Sequence, residues 1–598
     1  MAAEKRSQAS QLVDMALMDF QLGVSDDGQA YGAFPDAPHV ALPLRGGKLG
    51  LRNTLARTYF RRFDAAPSAQ ALSDACATIE GFAAEKPPRT LHLRVAGHGD
   101  KVFIDMADQR DRAIEIGGGT WRLVCSEELA RMARTAPIPM FRRTELTAAM
   151  PDPVPAGTGD VDLLWKHVNV APEDRPVLLA AMVAALVQPD APHVILTFLA
   201  EHGSAKSTTV KRVVALIDPS VAPLRMPPRD VEQWVAAANG SWVIAIDNAS
   251  SVSPWWSDAL CRAATGDALA KRRLYTDSDL AVLRFRRVVL LNGIDLGGLA
   301  GDLSDRLALV ELNRITAGTR RSEADLDPAW ERDHRAIFGG LLDLAAKVHQ
   351  RLGGTVTVPG GLPRMADFGR ALAVVDEIVG TDGLAHYQGR AVRLAADGLA
   401  ADPFISEIVA TKFRADGLNS REILQALTPD HDKAWRRPRD WPSSARVVTA
   451  QLTRNAPALR LQGWLVEHDA GRNRDGVTRW DITPPEEAGK CDPPNPPNPS
   501  SQVSGEKTGG SDAGQRVRRG PGGPGTGYES FPDPPKNGAL TSENGSAGYA
   551  GQDFRPSLAA QPCAFCGQPM LAPASLARGH CERCHLAGAA NAEPGGRR

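Results

Sequence analysis

The chain has 598 residues, 43% of them hydrophobic and 23% charged, with a formal net charge of −1. That composition is ordinary for a globular protein of roughly three to four domains, and the charge balance excludes whole-chain attraction to nucleic acid, so any basic surface must be local. The longest apolar run, Val177 to Val187, is shorter than the ~20 residues a bilayer requires, and the N-terminal MAAEKRSQASQLVDMAL is too polar for a secretory signal, so a cytoplasmic chain with no membrane partner is expected.

Residues 1–150 form an N-terminal region. Its first 88 residues read as short helical stretches and Gly/Pro turns. Within 91–125, LHLRVA, KVFIDMA and RAIEIGGGTWRLV alternate apolar and polar residues and read as three short strands of a small antiparallel sheet. The region lacks a set of paired carboxylates beside a His, so a priming activity would have to come from a separate primase. Pro137 to Pro155 carries five prolines and reads as a connector.

Residues 160–315 alternate helical segments with the buried strands HVILTFLA, WVIAID and RRVVLLN. That alternation predicts an α/β domain with a parallel, helix-covered sheet. After HVILTFLA comes a polar turn, Gly203-Ser204-Ala205, and then Lys206-Ser207-Thr208 opens an apolar-periodic helix. Strand, turn and helix N-terminus with Lys and Ser is the layout of a phosphate-binding loop: backbone N–H groups face an anion, the Lys neutralises outer phosphates and the hydroxyl holds Mg²⁺. The pattern G-x-x-x-x-G-K-[ST] would have glycines where this chain has Ala200 and Ala205. Downstream, one strand ends in Asp247, placed to reach a nucleotide's Mg²⁺. Another ends in Asn292, and Arg306 immediately precedes the apolar LALVEL. Taken singly, Asp247 and Asn292 are also turn residues and Arg306 is also a surface ion-pair residue.

In that order these motifs resemble the superfamily 3 helicases, most closely the primase-helicase ATPases of phages, plasmids and large DNA viruses. Ala263-Ala-Thr-Gly-Asp267, followed by Lys271-Arg272-Arg273-Leu-Tyr275, is similar to that family's basic loop segment. The resemblance covers residues 160–315 and implies a P-loop NTPase core of AAA+-like architecture. It also implies that ATP lies on Gly203–Thr208, that Lys206 binds the β/γ-phosphates, and that Ser207 and Asp247 ligate Mg²⁺. Asn292 would orient the attacking water, Arg306 would reach a neighbour's site in a homo-oligomeric ring, and Lys271, Arg272 and Arg273 would touch single-stranded DNA. One departure concerns chemistry: Asn248 follows Asp247 where many such ATPases carry a second acid, and Asn cannot serve as a base. Glu201, Asp258 and Asp267 are the alternative acids.

A helical domain is expected over 320–415. Over 418–483, a helix REILQAL capped by Asn419 or Ser420, a helix ARVVTAQLTRNA starting at Ser443 or Ser444, and a hairpin across AGRNRDG follow the order of a winged helix-turn-helix. From Arg436 to Arg479 there are nine arginines against four acids, the local excess that phosphate contact requires. Arg446 and Arg454 would face the major groove and Arg472 and Arg474 the wing tip, unless the segment is simply a solvated basic face. Residues 484–560, rich in Pro, Gly, Ser and Asn, read as a disordered linker. In the tail, 561–586, Cys563-x₂-Cys566 and Cys581-x₂-Cys584 are fourteen residues apart, a spacing that supplies four thiolates to Zn²⁺ in a zinc ribbon, with two disulfides as the alternative. The functional expectation is an ATP-dependent DNA helicase or translocase of a phage- or plasmid-type replication module. The competing expectation is an ATP-gated DNA-binding regulator without motor activity.

Overall fold

The computed structural model describes residues 6–200, 203–249, 252–266, 268–272, 280–293, 301–316, 318, 321–429, 435–471, 473, 476–485, 561–562 and 569–570. The expected linker, 484–560, lies outside them except for Pro484 and Pro485. Among the described residues no helix is long and apolar enough to cross a membrane.

The N-terminal region holds α1 (Gln8–Asp19), β1 (Gln21–Val24), β2 (Ala30–Phe34), β3 (Ala37–Pro43), α2 (Leu51–Phe63), α3 (Ala69–Ala84), β4 (Leu91–His92), β5 (Val95–His98), β6 (Lys101–Asp105), β7 (Ala113–Gly117), β8 (Thr120–Val124), α4 (Ser126–Thr135) and β9 (Met140–Arg142). Ser7 and Ser68 cap α1 and α3 by accepting a backbone N–H three residues on. Two sheets form, one in the order β1-β2-β3-β9-β4 and one a β5-β6-β7-β8 antiparallel meander. Three expectations are corrected here. The first 88 residues contain three strands as well as helices. The proline-rich connector contributes β9, which runs parallel to both β3 and β4. The three strands expected over 91–124 are five. RAIEIGGGTWRLV folds back at Gly118 (φ +60°) and Gly119 (φ +77°), a left-handed turn that matches the twist of a hairpin. LHLRVA divides between the two sheets at Arg94.

That division has an electrostatic cause. Arg94 is fully buried. Its Nε lies 2.8 Å from Asp218 Oδ1, and it donates to the carbonyls of Asp105 (2.9 Å) and Ala148 (2.8 Å). Asp218 in turn accepts the Val243 N–H at 2.9 Å. A desolvated guanidinium is tolerable only with such a complete set of acceptors. The pair ties the meander to the middle of the chain.

Next come 3₁₀ turns at Val161–Lys166 and Pro172–Asp174, then α5 (Arg175–Val187), β10 (Ile195–Leu199), α6 (Lys206–Ile217), α7 (Val231–Gly240), β11 (Val243–Ile246), α8 (Pro254–Thr265), β12 (Ala268–Arg272), β13 (Leu280–Arg284), β14 (Val288–Asn292), α9 (Gly301–Ser304) and β15 (Leu307–Glu311). The sheet order is β11-β14-β10-β15, with every pair parallel. Side chains alternate between two cores, as a strand's period of two requires. Leu196, Phe198, Val243, Ala245, Val288 and Leu290 join the core made with α5 and α6, whereas Ile195, Ile244, Ile246, Val289 and Leu291 join the one made with α7 and α8. The near-continuous apolar runs of these strands therefore reflect burial on both faces. The run Val177 to Val187 is a helix buried all round.

The first of those cores extends to the meander and to α10 (Glu323–Leu352), α11 (Ala366–Val379) and α12 (Gly383–Ala401). A reciprocal Ser322–Asp325 capping box starts α10. A separate core holds α13 (Pro403–Ala410), β16 (Ala415–Asn419), α14 (Ser420–Leu427), α15 (Ala445–Leu461), β17 (Leu465–His468) and β18 (Arg479–Thr483). Its three strands lie in the order β16-β18-β17 around the wholly buried Trp480. Asn419 caps α14 in a second capping box with Glu422. Ser444 precedes α15. Finally β19 (Gln561–Pro562) and β20 (Pro569–Met570) pair antiparallel.

Candidate functional site

The C-terminal edge of the parallel sheet gathers the chemistry. There the chain leaves β10, reaches Gly203 at φ +83° and Ala205 at φ +59°, and enters α6 at Lys206. Ala205 is the N-cap but has no side-chain acceptor, so the first turn of α6 presents backbone N–H groups and the positive end of its dipole. Lys206 Nζ donates to the Ala200 carbonyl at 2.9 Å, folding across the loop it belongs to. Asn169 donates both to the Ser204 carbonyl (3.3 Å) and to the Asn313 carbonyl (2.6 Å), which fastens the loop to the segment after β15.

From α6, Ser207 Oγ lies 3.2 Å from each oxygen of Asp247, the residue following β11. A hydroxyl facing a carboxylate is a pair of hard oxygen donors, the kind that Mg²⁺ accepts. At the end of β14, Asn292 is buried. Its Oδ1 accepts the Asn248 N–H at 2.7 Å and its backbone carbonyl accepts the Ala249 N–H at 2.9 Å. Its Nδ2 is buried with no hydrogen-bond partner among the described residues. An orphaned donor of this kind costs about 1–3 kcal/mol in the absence of a ligand. Asn248 holds φ +57°, a left-handed conformation that Asn tolerates better than most residues. It thus serves as the bracket that orients Asn292.

The opposite edge of the sheet holds Arg306. Its carbonyl accepts the Ile195 N–H at 2.8 Å, at the start of β10. The five-residue length of β10, about 16 Å at the usual rise, separates it from the loop of its own chain. Its Nη1 lies 2.5 Å from Asp302 Oδ1, and Arg364 shares that carboxylate at 2.7 Å. Burial pushes the Asp302 carboxyl up, and the Arg306 and Arg364 guanidiniums more than reverse this, leaving it below its ordinary value. Lys271 and Arg272 lie on β12, which pairs with β13 as a two-stranded ribbon of its own.

Of the alternative acids, Asp258 lies on α8 in a cleft of about 650 Å³ shared with α15, and Glu201 and Asp267 lie outside the described residues. Arg446 and Arg454 are both exposed on α15, on one face with Val447, Ala450 and Thr453. Arg273, Arg472, Arg474, Cys563, Cys566, Cys581 and Cys584 lie outside the described residues, the first two of those cysteines between β19 and β20. Among the described residues no group of three or more His, Cys, Asp or Glu is placed to hold a metal ion.

Sequence reasoning missed several supports of this edge. Buried Asp174 accepts the Glu311 N–H (2.7 Å) and lies 2.7 Å from His386 Nε2 and 3.1 Å from Arg390, joining the end of β15 to α12. Nothing in the local pattern marks Asn169 or Asp174, because their partners are distant in the chain.

Residues 161–397 match the family described as the actinomycete integrative conjugative element replication protein, and residues 405–498 match the AICE RepA C-terminal domain. Both matches fit a replication protein. No curated protein matches the chain. Among solved structures, the apo NrS-1 C-terminal region is 10% identical over 80% of this chain and 100% of that one, with a TM-score of 0.31. An A-form apo structure of the same region is 9% identical over 63% and 95%, with a TM-score of 0.25. Overlays at these scores do not define a shared fold.

Proposed function

We propose that this replication-type chain is an ATP-dependent DNA helicase or translocase that couples ATP hydrolysis to movement on single-stranded DNA. The observation that carries the reading is the convergence on one sheet edge of a helix N-terminus, Lys206, the Ser207–Asp247 pair and the orphaned Asn292 Nδ2. In this reading Gly203–Thr208 is a phosphate-binding loop in a P-loop NTPase core. The N–H groups of α6 bind ATP phosphates. Lys206 exchanges the Ala200 carbonyl for a β/γ-phosphate oxygen. Ser207 and Asp247 hold Mg²⁺, which would neutralise charge developing on the phosphates. Asn292 donates its free N–H to the γ-phosphate or the attacking water, held in aim by Asn248.

Arg306 cannot reach its own site across the length of β10, so its role is in trans, in a homo-oligomeric ring, after release from Asp302. Lys271 and Arg272 on β12, with Arg273 after them in the chain, contact single-stranded DNA. The α14–α15–β17–β18 unit serves as a winged helix with Arg446 and Arg454 on the reading face and Arg472 and Arg474 on the wing. Cys563, Cys566, Cys581 and Cys584 hold Zn²⁺ in a zinc ribbon, and priming falls to a separate primase. The alternative is an ATP-gated DNA-binding regulator, favoured by one observation: Asn248 occupies the position after Asp247 as a bracket and supplies no base.

ATP hydrolysis with and without single-stranded DNA distinguishes the two, measured on wild type, Asp247→Ala and Arg306→Ala. The motor reading expects DNA-stimulated hydrolysis that both variants lose. Normal hydrolysis by Arg306→Ala sinks the shared-site ring. Absent wild-type hydrolysis with intact ATP-dependent DNA binding leaves the regulator.

A further inference from the structure

Three arginines converge on an open cleft of about 300 Å³ between the N-terminal sheet and the edge of the parallel sheet opposite the nucleotide loop. Arg142 comes from the end of β9, and Arg286 and Arg287 from the link between β13 and β14. Their neutralisation is incomplete. Among the described residues Arg286 and Arg287 have no carboxylate within ion-pair distance. Arg286 donates to the Thr265 carbonyl at 3.3 Å, and Arg287 to the carbonyls of Ala238 (2.5 Å) and Arg286 (2.6 Å). Arg142 donates to the Asn239 carbonyl at 3.2 Å, forms a long ion pair with Asp27 at 3.9 Å, and keeps a buried Nε with no partner among the described residues. Asp27 is itself engaged by Ser25 and by Gln29 (3.0 Å). Asp26 and Asp190 are exposed at the rim.

Half-buried guanidiniums this close together, with the long Arg142–Asp27 pair as the one carboxylate contact among the described residues, are poorly compensated. Burial, and after it the charge of Arg142, pushes the Arg287 guanidinium down to about 9. An oxyanion entering the cleft would relieve both costs, and the planar forks of Arg142 and Arg286 match its geometry. The two large aromatic rings of the cleft, Trp242 and Phe285, are both buried, which leaves no indole or phenyl face for a base and suits a sugar–phosphate backbone. The cleft also lies at the root of the β12–β13 ribbon, since Arg286 follows Arg284, the last residue of β13, by two positions.

We propose that Arg142, Arg286 and Arg287 form a second anion site that holds a backbone phosphate of single-stranded DNA where it passes the ribbon's root. The proposal shares with the motor reading the premise that the chain engages single-stranded DNA, but it is independent of ATP hydrolysis.

The test is binding of fluorescein-labelled oligothymidine to the full chain, read by anisotropy across a salt series without nucleotide. Arg142→Gln and Arg286→Gln should each lower the salt slope, and together by about 0.7, the value of one single-strand phosphate contact. Each should also weaken low-salt binding several-fold, and Arg286→Lys should recover most of the slope. Thermal melting of each variant confirms that it is folded. Wild-type slopes in both folded glutamine variants would overturn the site and leave the motor reading standing. A melting rise with inorganic phosphate that both glutamine variants lose, beside an unchanged DNA slope, would assign the cleft to a free anion and also overturn it. No salt-dependent DNA binding by wild type would defeat the motor reading as well.

Discussion

Ala205→Gly tests the loop geometry at its most unusual residue. Ala205 sits at φ +59°, ψ +33°, where an L side chain brings Cβ against the following carbonyl at a cost of about 1–2 kcal/mol. Glycine removes that cost but gains unfolded-state entropy worth about 0.4–1 kcal/mol. The net expectation is stabilisation by about 0.5–1 kcal/mol, or roughly 1–4 °C in the melting of the central domain. Denaturant unfolding followed by tryptophan fluorescence measures it, and titration with a fluorescent ATP analogue should show affinity equal to or tighter than wild type. Asn248→Ala is the converse control. It places a less tolerant residue at φ +57° and should cost up to about 1–2 kcal/mol. Destabilisation by Ala205→Gly of more than half a kcal/mol would show that the residue is not left-handed, and the loop geometry would fall with it.

Two further outcomes concern stability. Arg94→Ala leaves Asp218 as a buried charge beside the end of α6 and should cost about 3–5 kcal/mol, measured by denaturant unfolding; a loss below 1 kcal/mol would mean that Asp218 is not desolvated. His39 is buried with neither ring nitrogen bonded among the described residues, and burial pushes it down to about 4; His193, also buried, is pushed down to about 3. Both are neutral in the fold and protonate more readily in the unfolded chain, so stability is full above pH ~6.5 and falls as pH drops towards 4 and 3, by up to about 1.4 kcal/mol per pH unit per histidine. His193→Gln should flatten part of that slope in melts taken across pH, and an unchanged slope would show that the imidazole is hydrated.

The parallel sheet was legible because strands buried on both faces are near-continuous apolar runs, and β10, β11 and β14 carry them, the last two ending at Asp247 and Asn292. Helices α14 and α15 were legible from Asn419, Ser444 and their apolar spacing. What escaped was set by distance along the chain. The strand β9 pairs with β3, about a hundred residues earlier, and AYGAF and MFR are too short to declare themselves. Arg94 and Asp218 are 124 residues apart and Asp174 and His386 are 212 apart, so no local pattern could join them. At the site, the residue types of the edge were readable, but the orphaned amide of Asn292 and the bracketing by Asn248 depend on backbone geometry. The direction in which Arg306 turns depends on Asp302, four residues earlier.

The most direct measurement of the central claim is displacement of a labelled strand from a forked duplex with ATP, comparing wild type with Lys206→Ala. The account predicts ATP-dependent displacement by wild type and none by the variant, with single-strand binding retained in both. Displacement that persists in Lys206→Ala, or a wild type that binds ATP and DNA but never separates the strands, would contradict it.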